Sequence, residues 1–461
     1  MAESAVYMPS SRTGKSLIYR GFMYRLNSRS DTKQYFKCHL GCKATAVVQD
    51  GYVISSRGQH EGHHLGDTER IHRKMAITTI KKRCTESLVQ PIPSIYKDHL
   101  LSADVNTENS AFHPTFASVK TILQRERSKC RPVLPVSRME LNLPEEFTQT
   151  RQGEPFLIAN DGEEDRIMVF STAAHLEVLC QSEIVLGDGT FKSSPQLFSQ
   201  IYIIFGVHLG TVFPLVYALL PNKSESIYLR LLECIKTACL KISLVWNPKV
   251  FQTDFEMAMI TAVRKALPFA NTRGCLFHLA QSIWRYVQKV GLQVDYQRVP
   301  AIKKFVRRLA SFALVPPWML DEAWILVTDI APADDRVTKL LDYFVDTYLS
   351  EDAFFKVHFW NHWHTTDRRT NNDLEGYNFS MNNGLVPKHG NIFKVVRYLM
   401  DEEDIIRKRI LMRRAGQAVC VKNRKFTALD KQIDELKYQL TSNQRSLESY
   451  IDTVKYTLKL H

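Results

Sequence analysis

The sequence has no long hydrophobic run. None of its apolar stretches reaches the ~18 residues that a membrane-spanning helix needs, so we expect no membrane partner. The first residues, MAESAVYMPSSRTGK, also lack the apolar core of a secretory signal peptide. These two absences favour a protein of the cytosol or the nucleus.

Cysteine is sparse and scattered. The chain has nine cysteines in 461 residues, an odd number, which argues against a disulfide framework and favours free thiols or metal ligands. Internal repeats and long low-complexity tracts are absent as well. A hydrophobic content of 44% is enough for a real core, and the length predicts two or three domains.

Acidic charge is scarce in the first third of the chain. Residues 1–139 hold 22 Lys and Arg against 11 Asp and Glu, which accounts for +11 of the net charge of +13. A basic module joined to a nearly neutral one is typical of a protein that holds a polyanion with one part and works with the other.

A metal-ligand spacing lies within this basic third. Cys38 and Cys42 precede two strand-like runs, KATAVV and GYVIS, and three histidines follow: His60, His63 and His64. Zinc takes four tetrahedral nitrogen and sulfur ligands, and a module this small needs such a clip to be stable. We favour His60 and His64 as the other two ligands, with His63 as an alternative. Two free thiols near surface histidines are the competing interpretation.

This segment resembles the FLYWCH-type zinc finger. The resemblance covers residues 7–66 and is carried by GKSLIYRGFMYRLN, by Tyr35 and by Cys38, Cys42-Lys-Ala and the final histidines. Phe36 stands where the family usually has Trp, and HEGHH replaces a tighter His-x-His. The family is associated with DNA or protein binding, and the basic charge favours DNA. Residues 67–140 then predict a basic helical linker, which either contacts the DNA backbone or presents a solvated face.

Further along, IVLGDGTFK (184–192) reads as a buried strand followed by Asp188 between two glycines. An ordinary turn is the competing interpretation of Asp-Gly. Two more apolar runs predict a three-strand meander, then SIYLRLLECIKTACLK predicts a helix, and PKVFQTDF predicts a strand that ends at Asp254. This is the order of an RNase H-like α/β fold, in which the first and fourth strands are neighbours. Asp188 and Asp254 should therefore meet.

A third acid is expected on a later helix. The amide-rich segment RTNNDLEGYNFSMNN offers Glu375. Taken singly, Glu375 has the competing interpretation of a solvated helix carboxylate, and Asp254 that of a helix N-cap.

Four motifs in one order resemble the Mutator-like (MULE) transposase family. They are DGTFK at 188, TDFEMAMITAV at 253, GCLFHLAQSIWR at 274 and RTNNDLEGYN at 369. The resemblance implies that Asp188, Asp254 and Glu375 form the family's DDE triad. It also implies that Cys275 and His278 match its Cys-x-x-His signature. The implied catalytic domain spans 150–400, with a helical insertion at about 295–365.

Such a triad suits phosphodiester chemistry. Two Mg²⁺ or Mn²⁺ ions activate the attacking oxygen and stabilise the leaving 3′ oxygen, and hard cations prefer carboxylate oxygens. We expect Asp188 to bridge both ions, with Asp254 and Glu375 each holding one. The predicted function is a DNA transposase that acts on transposon ends and target double-stranded DNA. The alternative is a domesticated descendant that binds DNA as a regulator without catalysis.

The C-terminal residues 426–460 have a heptad pattern, interrupted at Asn443. It predicts either a helix that folds back on the core or a self-association helix in a homo-oligomer. The basic cluster RKRILMRR (407–414) before it predicts a nuclear signal or a DNA-contacting face.

Overall fold

The computed structural model describes residues 3–9, 15–60, 68–87, 90–102, 105, 110–130, 134–366, 369, 372–385, 390–417 and 424–458. The chain divides into two compact units, Met1–Val133 and Leu134–His461. The first unit contains the predicted finger together with the predicted linker helices.

The first unit begins with an antiparallel sheet. Its strands are β1 (Glu3–Ser4), β2 (Val6–Pro9), β3 (Lys15–Tyr19), β4 (Phe22–Arg29), β5 (Lys33–Cys38), β6 (Thr45–Gln49) and β7 (Tyr52–Arg57), in the spatial order β1-β7-β6-β5-β4-β3-β2. Alternate residues of the central strands are buried, as in Phe36 and Cys38 of β5. One face therefore forms a small core with Leu17, Tyr24 and Ala46.

Three helices follow the sheet in the same unit: α1 (Thr68–Glu86), α2 (Ile92–Leu100) and α3 (Phe116–Lys129). They share a core of their own that includes Ile80, Ile95 and Leu123. The helical character predicted for the linker is present in the described residues.

The second unit is built on a mixed seven-stranded sheet. Its strands are β8 (Leu157–Asp161), β9 (Ile167–Phe170), β10 (Ile184–Thr190), β11 (Gln200–His208), β12 (Thr211–Leu220), β13 (Val250–Thr253) and β14 (Asn271–Gly274), in the order β14-β13-β10-β11-β12-β9-β8. The predicted meander is β10-β11-β12, and the predicted neighbour of its first strand is β13. Strand β11 lies at the centre, and both of its faces are buried, which explains its continuous run of apolar residues.

Helices cover both faces of this sheet. One face packs against α4 (Ala173–Gln181), α5 (Glu225–Lys241) and α6 (Met257–Ala266). The opposite face packs against α13 (Asn372–Gly384) and α14 (Ile392–Arg414). Helix α13 therefore packs on the sheet face that carries Ile201 and Ile203 of β11, the strand next to β10.

A helical body lies between β14 and α13 in the sequence. Its helices are α7 (Leu276–Lys289), α8 (Gln293–Arg298), α9 (Pro300–Ala310), α10 (Leu320–Thr328), α11 (Asp335–Phe344) and α12 (Val357–Trp360), with a π-helical turn at Val345–Leu349. The region of the predicted helical insertion, at about 295–365, contains α9 to α12 and part of α8. Aromatic residues such as Phe344, Tyr348 and Trp360 fill its core.

The C-terminal heptad pattern does not form one helix. It forms α15 (Arg424–Thr441) and α16 (Leu447–Val454), and the chain turns at Asn443, whose φ is 57°. Ser446 then caps α16 by accepting a hydrogen bond from the Ser449 N–H. The stripe packs into the helical body through Ile433, Leu436, Leu440, Leu447, Tyr450 and Val454. The fold-back interpretation is therefore correct, and these positions are not available for self-association.

Most basic side chains of the cluster 407–414 have hydrogen-bond or ion-pair partners within the second unit. Arg407 pairs with Glu154 and Glu403, Lys408 pairs with Asp404, Arg413 donates to the Leu209 carbonyl, and Arg414 pairs with Glu177. These contacts give most of the cluster a structural role. Among the described helices, none combines the length and apolar character that crossing a membrane would require.

Candidate metal centres

Two cysteines and one histidine converge at one end of the first sheet. Cys38 ends β5, Cys42 lies in the turn that follows it, and His60 comes just after β7. One ligand atom from each lies within 4.8 Å of the others. Among the described residues, this is the one group of three or more Cys, His, Asp or Glu side chains at such spacing.

The ring of His60 is held by both of its nitrogens. Nδ1 lies 3.3 Å from the Cys42 Sγ, and Nε2 lies 3.0 Å from the Tyr24 hydroxyl. The ring also stacks on Phe22. A metal-binding histidine usually turns one nitrogen to the metal and the other to a polar partner, so Nδ1 is the ligand atom that this arrangement presents.

The donor set fits zinc, because two sulfurs and an imidazole nitrogen are its preferred ligands. Gly58 makes the approach of the last strand possible, since a Cβ there would lie 2.7 Å from the Lys43 carbonyl oxygen. His63 and His64, the alternatives for the fourth ligand, lie outside the described residues. Burial raises the pKa of the Cys38 thiol, so a bound cation is needed to hold its thiolate form.

In the second unit, Asp188 lies inside β10 and not in a turn. Its backbone pairs with Ile203 of β11, and the strand continues to Thr190. On the other side, pairing with β13 ends at Leu186 and Gln252. The turn interpretation is therefore wrong. Asp188 also does not follow the strand, as predicted, but lies within it; it lies beyond the paired residues only on the side of β13.

The two glycines around Asp188 allow close packing. A Cβ at Gly187 would overlap the Tyr202 hydroxyl, and a Cβ at Gly189 would lie 2.5 Å from Oε1 of Gln200. Neither glycine has a positive φ. The sequence pattern suggested turn chemistry, but the glycines in fact make room for β11 side chains on the face opposite Asp188.

Asp254 directly follows β13 and lies close to Asp188. Strands β10 and β13 are parallel, and their pairing ends at Leu186 and Gln252, two residues before each acid. The Asp254 charge is near enough to raise the pKa of Asp188. The Cys275 N–H holds the end of β13 by donating to the Thr253 carbonyl oxygen at 2.9 Å.

Helix α13 brings Glu375 to the same place. Asn378, one helical turn after Glu375 and on the same face, donates from Nδ2 to the Asp188 Oδ2 at 2.7 Å. Asn382, a further turn along, accepts a hydrogen bond from Ser193 Oγ at 2.5 Å. One polar face of α13 is therefore fixed to the end of β10.

The two asparagines were missed as site residues. The spacing of Glu375, Asn378 and Asn382, at three and four residues, is the periodicity of one helix face and is visible in the sequence. The amide-rich character was noticed, but nothing in a single sequence states which strand the amides contact.

The electrostatics of Asp188 reflect this convergence. Burial, followed by repulsion from Asp254 and then from Glu375, raises the pKa of Asp188 to about 7, although Asn378 and the Gly189 N–H partly oppose the rise. Burial also raises the pKa of Glu375. In the part of the chain that the structure describes, no Lys or Arg pairs with any of the three carboxylates.

These carboxylates fit a hard divalent cation. They provide only oxygen donors, no cation among the described residues compensates their mutual repulsion, and a neutral amide orients one of them. They are less closely grouped than the thiol cluster, since their ligand atoms do not all lie within 4.8 Å of one another in the described structure.

His278 lies next to the same group. It occupies the first turn of α7, is mostly buried, and has no hydrogen-bond partner at Nδ1. Burial lowers its pKa and the Asp254 carboxylate opposes this effect, which locates the imidazole near Asp254. Cys275 is fully buried at the start of the same helix.

Comparison with known families finds one matching domain in each unit. Residues 7–61 match the FLYWCH zinc finger domain. A search of curated proteins finds no match to the chain.

The second match lies in the second unit. Residues 184–282 match the MULE transposase domain, and this range contains Asp188, Asp254, Cys275 and His278. The chain thus carries an N-terminal FLYWCH zinc finger domain and a MULE transposase domain, as the sequence motifs predicted.

Proposed function

We propose that this protein is a DNA transposase of the Mutator-like class that cleaves DNA at transposon ends and joins them to target DNA. Asp188, Asp254 and Glu375 are its catalytic acids, and Mg²⁺ or Mn²⁺ is its cofactor. The zinc finger, with Cys38, Cys42, His60 and either His64 or His63 as ligands, holds double-stranded DNA.

One observation carries the catalytic part. Acids from three separate elements converge on one face of the sheet, with a raised pKa at Asp188 and no described protein cation beside them. Buried carboxylates are costly unless a partner compensates them. A site that holds three partly buried carboxylates with no described protein cation, two of them within the MULE transposase match, supports cation-dependent chemistry.

The roles of the side chains follow from their positions. Asp188 is oriented by Asn378 and by the Gly189 N–H, so each of its oxygens has a fixed direction. Asp254 and Glu375 flank it from β13 and α13. When bound, two Mg²⁺ or Mn²⁺ ions would supply activation of the attacking oxygen and stabilisation of the leaving 3′ oxygen.

The strand order supports an RNase H-like core. In the sheet, neighbouring strands lie in the order β12-β11-β10-β13-β14. Strand β10 is parallel to β13 and antiparallel to β11, which is the arrangement expected for that fold. Action on two DNA ends favours a homo-oligomer, whose interface must lie outside the buried stripe of α15 and α16. Nuclear localisation is part of the proposal because the substrate is chromosomal DNA.

A domesticated regulator that binds DNA without catalysis is the second candidate. The observation in its favour is that the finger and its helices form a compact unit separate from the carboxylate site. Such a protein would need the finger but not the charge of Asp188.

The test is Mg²⁺-dependent cleavage of DNA that carries the terminal inverted repeats flanking the gene. Asp188→Asn should abolish cleavage and leave DNA binding unchanged, because the amide is nearly isosteric but brings no negative charge. Asp254→Asn and Glu375→Gln should give the same folded, inactive protein. Asp321→Asn, at an exposed position in α10, is the matched control and should cleave normally.

The same proteins should be examined by Mn²⁺ titration in a thermal-unfolding assay. The wild type should gain stability with Mn²⁺, and Asp188→Asn should gain much less. Normal cleavage by Asp188→Asn, Asp254→Asn or Glu375→Gln would disprove the triad assignment. A wild type that binds DNA but neither cleaves it nor responds to Mn²⁺ would favour the regulator.

A further inference from the structure

The second face of the first-unit sheet carries a row of positive charge. Cross-strand pairs align Arg25 of β4 with Lys37 of β5, Lys37 with Thr45 of β6, and Thr45 with Arg57 of β7. Directly opposed residues share a face, and Phe36 and Cys38 fix the core face by their burial. Arg25, Lys37 and Arg57 therefore project from the opposite face, which we call the basic face.

Among the described residues, an apolar contact covers one end of this second face. Met23, two residues before Arg25 and on the same side of β4, packs with Met8 and with Ile71 of α1. Beyond this contact, Arg25 and Arg57 are exposed and Lys37 is partly exposed. The apolar part of the face is thus buried by a helix, whereas the basic part is open to solvent.

The basic face has no acidic counterpart in the described sheet. Glu3 is the one acid in the described strands, and it pairs with Arg20. Arg25 and Lys37 lie directly opposite each other, an arrangement of like charges that destabilises a sheet. No described carboxylate relieves it. An unfavourable arrangement on an open face is explained if an external anion compensates it.

We propose that the basic face binds the phosphate backbone of double-stranded DNA. Neighbouring strands are about 4.8 Å apart, so a row across β4, β5, β6 and β7 extends for about 14 Å, close to the axial rise of about four base pairs. A linear row of this length, with no carboxylate to repel phosphate, matches a regularly charged polymer better than an acidic peptide. The inference rests on the proposed DNA-binding function and assigns that function to a surface.

The test compares two triple variants of the full-length, zinc-loaded protein. Arg25→Gln, Lys37→Gln and Arg57→Gln together neutralise the basic face. The control combines Lys82→Gln, Lys97→Gln and Lys129→Gln, which remove the same charge from exposed positions on α1, α2 and α3. Affinity for a mixed-sequence duplex is measured over a range of salt concentrations by fluorescence anisotropy.

The basic-face variant should bind more weakly, and the slope of log affinity against log salt should fall by about 3, roughly one for each lost phosphate contact. The control should keep most of the wild-type slope. Zinc release to a chelator should not accelerate in the basic-face variant, because the substitutions relieve repulsion between Arg25 and Lys37.

Equal losses in both variants would mean that overall charge, and not this face, determines binding, and would overturn the inference. An unchanged slope of log affinity against log salt in the basic-face variant would also overturn the inference. This holds even if the same variant no longer bound an acidic protein. Neither result bears on catalysis, since Mn²⁺-dependent stabilisation and cleavage by the wild type test the proposed function separately.

Discussion

Asp188 illustrates how much a single residue reveals in the sequence and how much it does not. An acid after an apolar, β-branched run predicted a carboxylate near a strand end, and the charge of Asp254, which follows the neighbouring strand β13, acts on it. The flanking glycines looked like turn residues because a sequence contains no information on what lies across the sheet. Tyr202 and Gln200, which require those glycines, are more than ten residues away.

The raised pKa of Asp188 predicts a pH dependence of stability. The folded-state pKa is about 7, whereas the usual value is 3.8. Between these values the folded protein keeps a proton that the unfolded chain has lost, so stability falls as pH rises from about 4 to 7. At about 1.4 kcal/mol per pKa unit, the loss attributable to Asp188 is on the order of 4 kcal/mol.

Asp188→Asn removes this dependence. Urea unfolding of both proteins, in buffer freed of Mg²⁺ but with zinc retained in the finger, should show the variant gaining relative stability across that window. Saturating Mg²⁺ should reverse the order, because the cation favours the charged form. A difference that stays constant from pH 4 to 7 would be inconsistent with repulsion at Asp188.

His278 is expected to position Asp254. Its imidazole is partly buried and close enough to Asp254 for that charge to affect its pKa, and groups that orient metal ligands typically affect activity by 10–100-fold. His278→Gln should lower the cleavage rate by about that factor and raise the Mg²⁺ concentration needed for half-maximal activity. His358→Gln, on α12, is the control and should leave both values near wild type. A purely structural role for His278 would lower stability without changing the Mg²⁺ requirement.

At the scale of elements, the order of strands and helices around the carboxylates was predictable because each has a clear period. Strands β8 and β9, which extend the sheet beyond the meander, were not predicted. The heptad of the C-terminal residues was ambiguous for a physical reason. An apolar stripe has the same spacing whether it packs on a second chain or on α9 and α10 of its own chain, and only the location of the partner surface distinguishes them.

Two arginines provide a test of the packing of α16. Arg308 is fully buried and donates to Asp452, Glu448 and the Leu326 carbonyl oxygen. Arg308→Ala should lower the free energy of unfolding by about 2–5 kcal/mol, because it removes a fully buried side chain with its hydrogen bonds and leaves a cavity. Arg336 also pairs with two carboxylates but is about 39% exposed, so Arg336→Ala should cost no more than about 1 kcal/mol.

Both values can be measured by denaturant unfolding monitored by tryptophan fluorescence. Similar costs for the two substitutions would mean that α16 contributes little to the stability of the second unit. Arg308→Met, which retains the stem of the side chain, should recover part of the loss if packing as well as pairing is involved.

At the scale of the whole molecule, the two units should respond differently to removal of zinc. All six tryptophans lie at or after Trp246, in the second unit, so their fluorescence does not report on the finger. EDTA should make residues 15–60 sensitive to protease, since folding and metal binding are coupled in such modules. The tryptophan emission and unfolding midpoint of the second unit should be unchanged. A finger that stays protease-resistant in excess EDTA would contradict a structural role for zinc.

The ion pair between Arg308 of α9 and Asp452 of α16 also has a consequence for synthesis of the protein. Arg308 and Asp452 are separated by 144 residues, so at roughly 5–20 residues per second the ribosome needs about 7–30 s to make the second partner after the first. During this interval Arg308 lacks its Asp452 partner, and the surface that α16 covers is exposed on the nascent chain. The finger, by contrast, is complete long before. The finger can therefore fold well before the helical body closes, and slow translation of the last segment would lengthen the period in which chaperones must protect that surface.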